Sequence, residues 1–278
     1  MTELLKQAER IKLARVLGAA ANQLDFMAPL EALDLRALRE RITQSLYHQH
    51  HALFQRLADA GKLLPVAINA LISEKVFGPM LSSRITGMLP AKRAIEISAK
   101  LPAEFQAELC LTLDPRSAPE LLRHMPVQTV TAVARILLTR KEYVTMARFV
   151  DCLSDTAMLA VVNGTRDDEA LLRIAFYVES PERLSHVIAL MPDDRLAGLI
   201  RCSTNGTMEL QQAGVTLFCT VNDRQKGRLG DAAANLDREV LERLVGNLQR
   251  AQAEAALKST LVNMSEPARQ KLQVALSG

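Results

Sequence analysis

The densest run of chemically capable side chains is Tyr47-His48-Gln49-His50-His51. His48 and His51 are three residues apart, so on a helix both imidazoles share a face and could ligate one metal ion. A structural zinc needs two further ligands, and neither Cys nor His stands nearby in sequence, so the run reads first as the polar face of a surface helix. A pH-sensitive contact near neutrality is its lesser use. Asp167-Asp168-Glu169 could attract Mg²⁺, which takes oxygen ligands. Acids at a helix start also accept orphan backbone N–H groups and suit the positive end of the dipole, and capping is the preferred reading. Asp193-Asp194 after Pro192 repeats that pattern.

A third group lies in the segment from Lys141 to Phe149. Tyr143, Arg148 and Phe149 are the candidate interaction residues, because Tyr and Arg are favoured anchors at interfaces. The competing reading has Tyr143 and Phe149 filling core gaps with Arg148 at the rim. Cys110, Cys152, Cys202 and Cys219 stand far apart in apolar stretches, without CxxC or Cys/His metal spacing. They read as buried free thiols in a reducing compartment. No phosphate-binding Gly-Lys-Ser/Thr loop, GxSxG elbow, HExxH pair or dinucleotide glycine fingerprint occurs. No residue recommends itself as nucleophile or base, and no cofactor or metal is expected.

The elements that must position these groups are short helices. Pro90, Pro102, Pro115 and Pro126 recur at nearly equal intervals, and Pro192 follows later. Pro is tolerated in a first helical turn, where its missing N–H has no partner anyway, so the series marks helix starts about three turns apart. Between them the signal is polar: Ser154-Asp155, Asp167-Asp168-Glu169 and Ser180-Pro181-Glu182 precede apolar runs. Within the units, Val130, Val133, Ala134 and Leu137, then Leu171, Ile174, Ala175 and Val178, keep helical spacing. Such helices with short connections predict an irregular α-solenoid, a superhelical array in which each element stacks mainly on its neighbours.

Upstream, residues 3–24 read as an amphipathic helix and residues 34–60 as a longer one, together an N-terminal helical hairpin. The second carries Leu35, Leu38, Ile42, Leu46 and Leu53, a stripe that could make a homodimer but serves better against the first helix. Leu63 to Met80 is strongly apolar and is expected to be the first fully buried helix of the array, broken at Val76-Phe77-Gly78-Pro79.

The Leu89-Pro90, Leu101-Pro102, Met125-Pro126 and Met191-Pro192 starts, with Leu/Ala-rich helices between them, resemble the superhelical N-terminal domain of MgtE magnesium transporters. They are also similar to the helical repeats of the flagellar switch protein FliG. The resemblance covers roughly residues 64 to 200 and implies a fold. The magnesium-sensing role of the transporter family finds no matching residues to carry it over.

At 278 residues the chain can bury a substantial core. It has no Trp, three Tyr and seven Phe, which leaves the interior to aliphatic side chains suited to close helix packing. The expected class is all-α, with a hairpin over 1–61, an array over 62–202, and a C-terminal helical cap over 207–278 after the loop Ser203-Thr204-Asn205-Gly206-Thr207. A net charge of +3 without a basic stripe argues against nucleic acid. No apolar run approaches a membrane span, and a cytoplasmic protein without membrane insertion is expected. The composite expectation is a non-enzymatic interaction or scaffold module binding another protein, with a sensor of a divalent cation or small ligand as the alternative.

Overall fold

The computed structural model describes residues 2–48 and 51–277, with side chains described for all of these except 2, 46–48 and 274–277. Among the described residues the chain is all-helical and contains no strand. The helices are α1 (Thr2–Leu17), α2 (Ala32–His48), α3 (His51–Leu63), α4 (Val66–Ile72), α5 (Gly78–Thr86), α6 (Ala91–Ser98) and α7 (Ala103–Thr112). They continue as α8 (Pro119–Arg123), α9 (Val127–Thr139), α10 (Tyr143–Phe149), α11 (Asp155–Gly164), α12 (Asp168–Tyr177) and α13 (Pro181–Leu190). The last are α14 (Asp193–Asn205), α15 (Met208–Thr220), α16 (Asp223–Ala234), α17 (Arg238–Arg250), α18 (Glu254–Asn263) and α19 (Glu266–Ser277). A π-helical turn, Ser73–Phe77, joins α4 to α5, and 3₁₀ turns occupy Ala21–Met27 and Pro115–Ser117.

The prolines do mark starts, one step earlier than expected. Pro90, Pro102, Pro126 and Pro192 are N-cap residues with extended ψ, each just outside its helix. Pro65 caps α4 in the same way, so the apolar run from Leu63 is broken into two short helices and a wide turn. The polar starts behave as capping requires. Ser154, Asp167 and Ser180 accept from the backbone N–H groups of Ala157, Ala170 and Arg183 at 3.3, 3.0 and 3.0 Å.

The chain divides into two compact units, residues 11–164 and residues 165–278 together with residues up to 10. The loop expected over residues 203–207 is helix as far as Asn205: Ser203 and Thr204 are buried in the last turns of α14, and only Gly206-Thr207 connects to α15. Their hydroxyls donate to the carbonyl of Ile200, which removes the polar cost that made the segment look like a loop.

In the first unit, Leu35 is fully buried with Leu13, Ala14 and Leu24, and Leu38 and Ile42 pack on that cluster. Leu35, Leu38 and Ile42 are therefore spent against the N-terminal elements. Leu53 is exposed, and the side chain of Leu46 lies outside the described residues. The single helix expected over 3–24 ends at Leu17, where Gly18 takes a positive φ of 65°. Further along, α3 packs on α5, α4 on α6, α5 on α7, α6 on α8, α7 on α9 and α9 on α11. The second unit repeats this rule: α12 packs on α14, α13 on α15, α14 on α16, α15 on α17, α16 on α18 and α17 on α19. Its centre is filled by Leu172, Ile188, Leu196, Ile200, Phe218 and Leu229.

Long polar side chains also join helices two or three positions apart. In the first unit Arg140 on α9 reaches Glu104 and Glu108 on α7, and Arg148 donates to the carbonyl of Leu113. In the second, Arg195 donates to the carbonyl of Thr165 and pairs with Asp168 at 2.9 Å. Arg228 donates to the carbonyls of Ile188, Ala189 and Met191 and to Asp193 at 2.5–2.9 Å. Lys271 reaches the carbonyl of Ala234, and Ser259 donates to Asp223. Each of these links satisfies or steadies groups near a helix end, where orphan carbonyls need partners.

Candidate functional site

Helix α10 carries the three candidate interaction residues, and it turns two of them toward the protein. Phe149 is 6% exposed and packs with Leu113 and Leu122, with Cys110, Cys152 and Leu153 around them. The expectation of an exposed aromatic anchor is corrected at this position. A helix of seven residues places Phe149 near the closing end of α7, and burying a large ring there holds α10 in place. Arg148 is half-buried, 3.1 Å from the Leu113 carbonyl it donates to and 4.0 Å from Asp114. It completes the C-terminus of α7. Tyr143 opens the helix and is half-buried. Beside it, Glu142 accepts from Arg15 of α1 and from the Thr145 hydroxyl. The arrangement is a structural corner with Tyr143 and the outer part of Arg148 at its rim.

The acidic group at the start of α12 is divided between separate tasks. Asp167 caps the helix, Asp168 pairs with Arg195, and Glu169 pairs with Arg173, which also reaches Glu209 at 3.1 Å. The capping reading is what the geometry displays. Asp193, in contrast, does not cap α14; Pro192 does, and Asp193 accepts from Arg228. Among the described residues no group of three or more His, Cys, Asp or Glu side chains converges as a metal site. The His48–His51 pair lies outside the described residues, because the side chain of His48 is not among them.

All four cysteines are free thiols. Burial pushes Cys110 up to about 12, with Arg148 pulling weakly the other way, and pushes Cys202 up to about 11. A thiol held neutral at physiological pH is a poor nucleophile. These side chains act as small apolar groups.

The surface that sequence reasoning missed is apolar. The run from Leu63 to Met80, expected to be buried, exposes Leu63 (87%), Ile68, Leu71, Val76 (71%) and Met80. Only Ala70 of α4 is buried, against Ile97 and Leu101. An apolar run reports a preference for burial but not how many sides of a short helix have neighbours, so its exposure was illegible in the sequence. A second exposed apolar group, Phe26, Leu30 and Leu33, surrounds the start of α2.

No family model, curated protein or solved structure matches the chain. The expected likeness to magnesium-transporter and flagellar-switch repeats gains no support from these comparisons, and no residue role passes from those families to this chain. No helix among the described residues is long and apolar enough to cross a membrane.

Proposed function

We propose that this protein is a non-enzymatic scaffold whose short helices are stacked, within each unit, as a superhelical array that offers its flank to another protein in the cytoplasm. The observation that supports the reading is the repeated packing of helices on those two further along within each unit, joined by side-chain links such as Arg140 on α9 to α7 and Arg228 on α16 to the end of α13. Arrays of this kind gain extended surface at low cost in chain, because each unit needs only its neighbours. The rim formed by Tyr143 and Arg148 is the proposed contact for the partner, since an aromatic ring and a guanidinium give large contact area with directional donors.

The test is to purify the full-length tagged protein from its native cells at low salt and identify what accompanies it by mass spectrometry. One reproducible partner at constant stoichiometry, diminished by Tyr143→Ala, is expected. Recovery of the protein alone, with unchanged recovery in the variant, removes the scaffold reading.

A further inference from the structure

Helix α4 has one face covered and the opposite face bare. Val66 and Ala70 pack inward against Ile97 of α6 and Leu101 beyond it. Ile68 and Leu71 stand on the far side of the helix from that pair and are 44% and 56% exposed. The bare face continues through the π-helical turn Ser73–Phe77, whose i to i+5 hydrogen bonding sets Val76 about one turn on from Leu71. Met80 follows four residues later. Toward the start, Leu63 and Leu64 extend the face. Asn69 holds them beside α4 by donating to the carbonyls of Gly61 and Leu64 at 2.7 and 3.3 Å, and Arg93 of α6 donates to the same Leu64 carbonyl. The packing rule explains the bareness. A helix here gains its second flank from the one two positions before it, as α6 does from α4 and α7 from α5. The helix two before α4 is α2, and its apolar side is spent on α1 and the 3₁₀ turn at Ala21–Met27.

We infer that the outer face of α4, from Leu63 to Met80, pairs two-fold with the same face of a second copy. The end of a helical stack stays single in water when its outer face is polar, whereas an aliphatic end calls for a further helix laid upon it. The α4 of a second copy is such a helix, and the two ends then cover each other. The area is sufficient. Leu63, Leu64, Ile68, Leu71, Val76 and Met80 leave roughly 600 Å² bare on one copy, at the top of the range that a monomer ordinarily shows. Two copies face to face cover about twice that, the size at which a stable interface begins. Charge does not oppose the pairing, because Lys62 and Lys75 at its margins are already ion-paired with Asp59 and Glu74 of the same copy. The drive is the burial of aliphatic surface. The contact is isologous and closes at two copies. It is independent of the scaffold reading, whose partner is a different protein at the Tyr143 rim.

The test uses the full chain in sedimentation velocity over a concentration series at low and high salt. A monomer–dimer equilibrium is expected. Residues 51–100 hold seven bases against three acids, so high salt should leave the dimer as tight or tighter. Ile68→Glu with Leu71→Glu, and separately Ile68→Lys with Leu71→Lys, should each raise the dissociation constant at least about tenfold. Mixing these two doubly substituted chains should recover a dimer, because a two-fold contact sets the carboxylates of one against the ammonium groups of the other. Phe26→Glu with Leu33→Glu, in the other exposed apolar group, should leave the dimer unchanged. Circular dichroism confirms that each variant is folded. A monomer at every concentration overturns the inference. So does a dimer that the substitutions at 68 and 71 leave intact, failure of the mixture to recover, association that weakens as salt rises, or assemblies that grow past two copies. A monomer whose α4 face binds vesicles of phosphatidylglycerol or another protein instead overturns it as well.

Discussion

Gly227 of α16 lies so close to the backbone carbonyl of Asn263 in α18 that a Cβ has no room between them. One turn on, Gly230 meets Thr260 and Met264 in the same way, at 2.6 and 2.7 Å from where a Cβ would stand. Glycine weakens an isolated helix, yet here its missing side chain is what lets two helices approach.

Gly227→Ala is therefore expected to destabilise the protein by about 1–3 kcal/mol, because a backbone atom cannot move aside as a side chain can. Gly246, in α17 with nothing within 4 Å, supplies the contrast. Gly246→Ala should gain about 0.4–1 kcal/mol. Urea unfolding of both variants checks the pair, and equal effects would sink the close-approach argument.

Phe149 and Tyr143 separate core from rim. Phe149→Ala should cost about 3–5 kcal/mol, the usual loss for a buried ring. Tyr143→Ala should cost distinctly less and act on partner binding. If the two changes cost the same in thermal unfolding, α10 is not divided in the way described.

The start of α12 distinguishes a cap from a cation site. Asp167→Ala should cost about 0.5–2 kcal/mol, while Asp167→Asn, an equally good cap, should be nearly silent. Millimolar Mg²⁺ should leave the melting temperature of the unmodified protein unchanged. A rise with Mg²⁺ that is blunted by Asp167→Asn with Asp168→Asn would reverse the assignment.

Burial raises the Cys110 thiol from an ordinary 9.0 to about 12. The unfolded chain then ionises first, so this contribution to stability is whole below about pH 9 and is lost as pH climbs toward about 12. Cys110 should label with iodoacetamide only slowly at neutral pH until the protein unfolds. Labelling of Cys110 in the folded protein as fast as in urea would contradict this.

Much of the local structure was legible because it is written by single residues. Pro90, Pro102 and Pro126 announce helix starts through φ and the missing N–H, and Asp167 and Ser180 through a side-chain acceptor at the right offset. What stayed hidden depends on the identity of neighbours. Ser203 and Thr204 looked like loop until the carbonyl of Ile200 gave both hydroxyls a partner. Phe149 looked like an anchor until Leu113 and Leu122 closed over it. Leu63 and Val76 looked like core because hydrophobicity states a demand and not its fulfilment. The glycines at 227 and 230 looked like weak points because propensity is local while the approach of α18 is not.

The side-chain links also constrain how such a chain can change its length. Arg228 must find the end of α13 and Lys271 the end of α16, each three helices back, while Arg140 finds α7 two back. Removing one helix between donor and acceptor would bring a different surface under each of these side chains and take the donor from the groups it now satisfies. A change of length and a change of the linking residue must therefore come together.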